Sequence, residues 1–441
     1  MSESLTAPAS TSRPLLPILM VNFIGTMGYS IILPFLVFLV VKFGGNEFIY
    51  GIMGATYSAF QLVGAPILGN WSDRFGRRKI LLLSQAGTLL AWILFLVALL
   101  LPTKNLVEVD NATAGIFIIT LPLLILFLAR ALDGLTGGNV SVANAYLADI
   151  STEKNRKSNF GKMAASANMG FIIGPTIAGL LGSTALGEIV PVFAAMLVSI
   201  FALIVIAFRL PESKPLALTK PADEERLRKT LGQEHKECYK MKCKEDPKGF
   251  WQMAKRKNVG YILIMYFLIF LAFNFFYVSF PIHAQKALEW DVFQLGIFFS
   301  LLSGIMVLVQ GSVLGKVSSR FSEGQLIIAG NLLLCVSFIL VSTNQLVLVY
   351  ASAVFFSAGN GIMWPSFLSV LAYVAGDKYQ GAIQGYASSA GSLASIVGLV
   401  SGGVIYSIFG AQTFWIPAVL ILVIAVVSVR ILTIMKNPSS E

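Results

Sequence analysis

The sequence predicts an all-α membrane protein with twelve transmembrane helices in two pseudo-symmetric six-helix halves. Composition is the first observation: 56% of the 441 residues are hydrophobic, 12% are charged, and the mean hydropathy is +0.78. A soluble domain of this size would expose much of that apolar surface to water. The second observation is a series of apolar runs, each able to cross a hydrocarbon core of about 30 Å. The third is the position of the basic residues between those runs.

The apolar runs are separated by short polar connections, except in the middle of the chain. Helices are predicted at Leu15–Val41, Ile49–Trp71, Ile80–Leu101, Ile116–Ala148, Asn159–Leu181, Ile189–Phe208, Val259–His283, Phe293–Lys316, Gln325–Val341, Leu346–Val374, Gly381–Ile408 and Thr413–Met435. The first run is too long for a signal-peptide core, so we expect it to remain as a helix.

The basic residues fix the predicted orientation. Of the 32 Lys and Arg, 28 fall in cytosolic segments or near the cytosolic end of a predicted span, three fall outside, and one, Arg130, lies deep inside a span. Lys and Arg beside membrane spans are retained in the cytoplasm, so both termini are predicted to be cytosolic. We expect the plasma (inner) membrane. The net charge of +10 follows from topology and requires no nucleic-acid partner.

One long polar segment divides the chain. Residues 209–257 carry fourteen bases and eight acids. The predicted organisation is a cytosolic tail at 1–14, a six-helix half at 15–208, a cytosolic basic linker at 209–257, a second six-helix half at 258–435, and a cytosolic tail at 436–441. The linker is expected to be flexible, with a specific lipid- or partner-binding segment as the alternative.

A charged stretch, GNWSDRFGRRKIL, lies between the second and third predicted helices at Gly69–Leu81. It is predicted to be a tight cytosolic turn, in which Gly69 and Gly76 allow sharp bending and close helix approach. Asp73 is expected to bond a helix N-terminus or an arginine. A related stretch, GKVSSRF at Gly315–Phe321, occupies the same position in the second half, which indicates an internal repeat.

Two charged residues are predicted inside the membrane on one face of the fourth helix. Arg130 and Asp133 stand three positions apart, and each charge costs roughly 2.5 to 3.5 kcal/mol at mid-helix. In one interpretation Asp133 binds and releases a proton and Arg130 senses its charge. In the other, the two form a permanent salt bridge or contact the substrate.

Small residues mark two helices. Gly134 and Gly138 follow Arg130 at four-residue spacing, which favours close helix packing. The fifth helix contains GFIIGPTIAG, with a potentially flexible set formed by Gly170, Gly174, Pro175 and Gly179. Substrate contacts are expected from polar and aromatic residues of the first, fourth, seventh and tenth helices: Asn22, Tyr29, Asn139, Asn144, Asn274, Tyr277, Asn360 and Trp364.

The sequence does not indicate an enzyme. It lacks a Walker loop, and neither His235 nor His283 has neighbours spaced for metal binding or nucleophilic catalysis. We therefore expect no cofactor and no metal, with a proton gradient as the driving force.

These motifs resemble those of the major facilitator superfamily, and more narrowly of its twelve-helix drug:proton antiporter branch, which includes the tetracycline efflux proteins. The resemblance spans nearly the whole chain. It implies an exporter working by antiport, in which the charged loop latches the two halves in the outward-facing state. The residues that match the loop motif are Gly69, Asp73, Arg74, Gly76, Arg77 and Arg78. Asn22 stands where many relatives carry an acid, which leaves Asp133 as the main candidate for proton coupling.

The sequence thus predicts a secondary active transporter that works by alternating access and exports small amphipathic compounds or drugs in exchange for protons. Its expected partners are a small-molecule substrate, protons and membrane lipid, and we expect a monomer. Two alternatives stay open. One is a facilitator or importer of a metabolite or lipid without proton antiport, with Arg130 binding an anionic group. The other is a non-transporting membrane receptor or scaffold.

Overall fold

A computed structural model describes residues 15–111, 115–137, 139–151, 153–213, 258–375 and 380–436. The two predicted tails, apart from 436, and the linker from residue 214 to 257 lie outside the described residues, as does Gly138. The prediction of a flexible linker, and its alternative of a lipid- or partner-binding segment, therefore remain untested.

The described residues form sixteen α-helices and one β-hairpin. The helices are α1 Leu16–Ile31, α2 Leu36–Lys42, α3 Glu47–Phe75, α4 Arg77–Leu100, α5 Leu121–Thr136, α6 Asn139–Ile150, α7 Glu153–Gly182, α8 Ile189–Arg209, α9 Val259–Lys286, α10 Val292–Leu308, α11 Leu314–Ser318, α12 Glu323–Val341, α13 Leu346–Ala375, α14 Gln380–Phe409, α15 Trp415–Val427 and α16 Val429–Lys436. A π-helical turn, Val309–Val313, joins α10 to α11, and a 3-10 turn, Gly410–Phe414, joins α14 to α15. The strands are β1 Asn105–Asn111 and β2 Gly115–Thr120.

Eleven helical stretches in this part of the chain are long and apolar enough to cross a membrane. The last of them, Tyr386–Ile434, has 49 residues, about twice the length that one crossing needs. It is interrupted by the 3-10 turn that begins at Gly410, whose φ of 55° an α-helix cannot continue through. This stretch therefore supplies both the eleventh and twelfth predicted helices, and the predicted all-α bundle is confirmed.

The first predicted helix is not continuous. The chain forms α1 and α2 with turn residues between Ile32 and Phe35, around Pro34. Proline lacks a backbone N–H and clashes with the preceding turn, so the helix ends and restarts. Together α1 and α2 still form one span, Leu16–Lys42.

The fourth predicted helix begins later than expected. Residues from Gly115 to Thr120 form strand β2, which pairs antiparallel with β1, and α5 starts only at Leu121. The run of Ile, Phe and Thr is apolar enough to read as helix, yet such residues also favour strands. The Thr120 hydroxyl caps α5 and also donates to the Phe43 carbonyl at 2.8 Å, which ties the hairpin to the bundle. We call this end of the bundle the hairpin end, and the end that carries Gly76 the basic end.

The charged stretch is not an extended turn. Helix α3 continues to Phe75 and α4 begins at Arg77, so Gly76 alone joins them, with a φ of 98°. Only glycine adopts such a conformation at low cost. Gly69 lies inside α3 with nothing within 4 Å of the place a Cβ would occupy, so it provides neither a bend nor a close approach.

The first six and last six spans meet closely at the hairpin end. A Cβ on Gly403 of α14 would lie 2.6 Å from the Glu47 carbonyl oxygen of α3, and one on Gly296 of α10 would lie 2.8 Å from the Gly179 Cα of α7. The Lys286 ammonium also pairs with the Glu47 carboxylate across this interface. Helices whose backbones touch leave no passage between them.

Candidate functional site

A cavity of about 660 Å³ lies between the two halves. Six of the eight residues predicted to contact substrate line it, namely Asn22, Tyr29, Asn274, Tyr277, Asn360 and Trp364. Asn144 does not: α6 continues past the cavity, beyond the lining residue Gly137, toward the basic end. The backbone of Asn139 starts α6, but its side chain lies outside the described part of the structure.

The two membrane-embedded charges lie side by side on the cavity wall. Arg130 Nη1 is 3.4 Å from Asp133 Oδ2, and the Arg130 guanidinium also sits over the Tyr57 ring, 4.4 Å from its centroid. Thr88 donates a hydrogen bond to Asp133 Oδ1 at 3.1 Å. These contacts stabilise a charge pair that an apolar environment would otherwise disfavour.

The acid is the more accessible member of this pair. The Asp133 side chain is 18% exposed and the Arg130 side chain 5%. Arg130 Nε is buried and, within the described residues, has no hydrogen-bond partner. A molecule in the cavity can therefore reach the carboxylate, and the arginine keeps one unused donor.

Sequence reasoning missed the residues that surround this pair. Tyr57, Gln61 and Thr88 all line the cavity, and Gln61 donates to the Tyr57 hydroxyl at 3.1 Å. All three are polar residues inside apolar spans. This pattern could have identified them, because a polar side chain in such a span rarely occurs without a partner.

Gly134 allows α5 to reach α3. A Cβ at Gly134 would lie 3.0 Å from the Phe60 Cβ and would collide with the Tyr57 carbonyl oxygen. This close approach is what brings the Tyr57 ring under Arg130, so the glycine acts through packing.

The glycines of α7 face two different helices. Gly170 and Gly174 meet α1: a Cβ on either would lie 2.8 Å from backbone atoms of Met27, and the Ser30 hydroxyl donates to the Gly170 carbonyl at 2.9 Å. Gly179 meets α10 at Gly296, and Pro175 lies between, inside a helix that continues to Gly182. Helix α7 is thus packed against both halves of the bundle.

Asn22 joins α1 to α7 at the cavity. Its Nδ2 donates to the Met163 carbonyl and to the Ser166 hydroxyl, both at 2.9 Å. Both amide protons are therefore used in packing, and this position carries no charge.

At the basic end, two arginines bind α4 to neighbouring helices of the first half. Arg77 Nε lies 3.1 Å from Asp149 Oδ2, and Arg77 Nη1 donates to the Ser72 hydroxyl at 2.5 Å. The Arg78 guanidinium donates to the carbonyls of Ile206 and Ala207 at the end of α8. The side chains of Asp73 and Arg74 lie outside the described residues, so the predicted latch between the halves remains a prediction.

A carboxylate absent from our sequence-based set caps the start of α4. Glu212 Oε1 accepts from the backbone N–H of Arg77 at 2.7 Å, and Oε2 accepts from that of Arg78 at 3.2 Å. Free N–H groups at a helix start attract anions, and Glu212 satisfies two of them. No sequence pattern indicated this cap, because the tertiary fold alone brings Glu212 to the start of α4.

Comparisons with known proteins agree with this arrangement. The family model of the Major Facilitator Superfamily matches residues 18–325 and 311–441. The tetracycline resistance protein, class D, of Salmonella ordonez is 26% identical over 401 residues, which cover 90% of each chain. Multidrug resistance protein 2 of Bacillus subtilis is 24% identical, with 88% of this chain and 87% of that protein aligned.

A solved structure has the same fold. The crystal structure of the human organic anion transporter MFSD10 superposes with a TM-score of 0.65 at 20% sequence identity, covering 96% of this chain and 100% of that one. The family and the solved structure are of transporters, not enzymes. With its multi-pass bundle, its cavity between two halves and a family match over nearly its whole length, this chain is a transporter of the Major Facilitator Superfamily.

Proposed function

We propose that the protein exports small amphipathic compounds in exchange for protons, by alternating access to the cavity between its halves. The observation that carries this proposal is the placement of Asp133. Among the described residues it is the one acid on the cavity wall, and it is partly accessible. An acid that a molecule in the cavity can reach is suited to bind either a proton or a cationic substrate, but not both at once.

Competition for the Asp133 carboxylate would couple the movement of the proton to the movement of the compound. When Asp133 is ionised, Arg130 and Thr88 stabilise its charge and a cationic group can approach. When Asp133 is protonated, the attraction for a cation is lost and the compound leaves. If the two sides of the membrane differ in proton concentration, the proton displaces the compound on the proton-rich side, and the compound displaces the proton on the other side.

The relatives support the direction of transport. The names of two of them, a tetracycline resistance protein and a multidrug resistance protein, describe resistance to drugs. In this proposal the basic end, with Arg77, Arg78 and Lys79, faces the cytosol, and the contacts at the hairpin end close the outer side of the cavity.

The test uses the full chain in liposomes with an imposed pH gradient, while internal pH is recorded and a cationic compound such as tetraphenylphosphonium is added. We expect compound-dependent proton movement in the wild type and none in Asp133→Asn. Asp291→Asn is the matched control, because Asp291 caps α10 outside the cavity and asparagine caps a helix equally well. Full pH-driven uphill transport by Asp133→Asn would refute the proposal.

One observation favours a second candidate. The unpartnered Nε of Arg130 could donate to an anionic group, and the solved structure with the same fold is of an organic anion transporter. An anion bound to Arg130 would compete with the Asp133 carboxylate, so protonation of Asp133 would assist anion binding. The same liposome assay separates the two candidates, because proton and anion would then cross in the same direction.

A further inference from the structure

Three aromatic rings form a continuous surface on the second-half wall of the cavity. Tyr266 and Phe270 are one turn apart on α9 and stack with ring centroids 4.8 Å apart and an interplanar angle of 11°. Trp364 of α13 meets them at 5.4 Å and 5.3 Å. All three line the cavity, and we call them the aromatic platform.

The platform is distinct from the aromatic core of the same half. Farther along α9, Phe276 and Phe280 stack with Phe356 and Phe298, and these four rings are at most 1% exposed. That cluster fills the interior, as rings in a packed core do. Phe270 and Trp364, in contrast, are only half-buried at the cavity wall, and Tyr266, which is 8% exposed, joins them to the core.

A glycine keeps α14 close to the platform. A Cβ at Gly391 would lie 3.0 Å from Tyr266 Cε1 and 3.3 Å from Phe270 Cδ1. Any larger residue would press on the stacked pair, so Gly391 preserves the shape of this wall.

The platform faces a part of the cavity without charge. Among the described residues that line the cavity, the charged ones, Arg130 and Asp133, both belong to the first half. The second half contributes aromatic, amide and hydroxyl groups, and Asn274 Nδ2 is already used by the Phe270 carbonyl and the Ser395 hydroxyl. Both walls carry aromatic rings, but among these lining residues the first half alone carries charge, so the two walls differ in polarity.

We propose that the aromatic platform binds a planar aromatic ring system of the substrate, so that the exported compounds are flat aromatic cations. Their charged group lies toward Asp133 and their ring system stacks on the second half. Offset stacking is favoured between flat aromatic rings, whereas an apolar cation without any aromatic ring gains no stacking contact. This inference rests on the proposed function for the charge of the substrate.

The test compares two probes on the purified full chain in detergent, without a proton gradient. Proflavine is a flat tricyclic cation, and amantadine is a cation with a compact aliphatic body and no aromatic ring. Equilibrium dissociation constants are measured for the wild type, Trp364→Leu, Trp364→Phe and Phe270→Leu. Trp415→Leu is the matched control, because Trp415 is half exposed at the start of α15 and does not line the cavity.

Trp364→Leu and Phe270→Leu are expected to weaken proflavine binding by about three- to tenfold while changing amantadine binding less than about twofold. Trp364→Phe and Trp415→Leu should stay within about twofold of the wild type for both probes. Equal weakening of both probes, no change for proflavine, or failure of proflavine to bind the wild type overturns the inference. Because no gradient is present, a failure of proton coupling alone leaves the expected binding pattern in place and is seen separately in the liposome assay.

Discussion

At the residue scale, the proposed function depends on one ion pair. Arg130 and Asp133 are placed by α5 inside an apolar span, and their cost there is offset by their pairing, the Thr88 hydroxyl and the Tyr57 ring. The two charges therefore depend on each other for stability.

Removing only the acid should leave a charge without its partner. Arginine stays protonated, so Asp133→Asn is expected to lower the free energy of unfolding by roughly 3 kcal/mol. Adding Arg130→Leu removes the orphaned charge and should recover part of this loss. Thermal unfolding in detergent measures both effects.

The control for the added Arg130→Leu change is Arg430→Leu, also made in the Asp133→Asn background. Arg430 also sits over a tyrosine ring, that of Tyr261, 5.1 Å from its centroid, but has no contact with Asp133. We expect no recovery from that change. If Arg130→Leu lowered the stability of Asp133→Asn further, the two residues would not stabilise each other as described.

At the element scale, the sequence was sufficient to predict the spans because each helix is an apolar run between basic or turn-forming segments. The sequence was not sufficient to assign the secondary structure of Ile116–Thr120, since apolarity alone does not distinguish a strand from a helix. It also placed a turn across Gly69–Leu81, where helix-forming residues extend α3 and α4 up to Gly76. Asp133 stood out because it is a charge in an apolar span, whereas Thr88 and Glu212 gain their positions only from tertiary contacts.

The crossing of α7 and α10 gives a prediction at this scale. A methyl group on Gly296 would lie 2.6 Å from the Pro175 carbonyl oxygen, and a backbone atom cannot move aside as a side chain can. Gly296→Ala should therefore destabilise the protein by about 1 to 3 kcal/mol and slow transport several-fold. Gly304→Ala, on the same helix with open space at its Cβ, should preserve both. Equal effects of the two changes in thermal unfolding and transport would contradict the role of this crossing.

At the scale of the whole molecule, the two halves are joined at the hairpin end by close helix crossings and by one ion pair. Gly51 and Gly403 bring α3 against α14, and Glu47 of the first half pairs with Lys286 of the second. Alternating access requires these contacts to open and reform in each cycle.

Breaking the ion pair between the halves should favour the open hairpin end. We expect Lys286→Gln to increase the labelling rate of a cysteine placed at Leu33, which lines the cavity and is partly exposed, by up to about fivefold, because a partly exposed ion pair contributes at most about 1 kcal/mol. The label is a membrane-impermeant maleimide, applied to protein lacking the native cysteines.

Lys42→Gln is the matched control for this measurement. It breaks the 2.9 Å ion pair with Glu188 at the same end, but both residues belong to the first half. We expect no change in labelling. An equal increase in both variants would show that charge at this end, rather than closure between halves, controls access.

The central claim is that a proton and a cationic substrate compete for Asp133, and the most direct measurement is proton release on binding. Tetraphenylphosphonium is added to the purified full chain in weakly buffered detergent solution at several pH values, and released protons and bound cation are counted together. The account predicts release that rises toward one proton per bound cation as the pH falls and Asp133 becomes protonated, with none from Asp133→Asn. Binding without proton release at every pH in the wild type would contradict it.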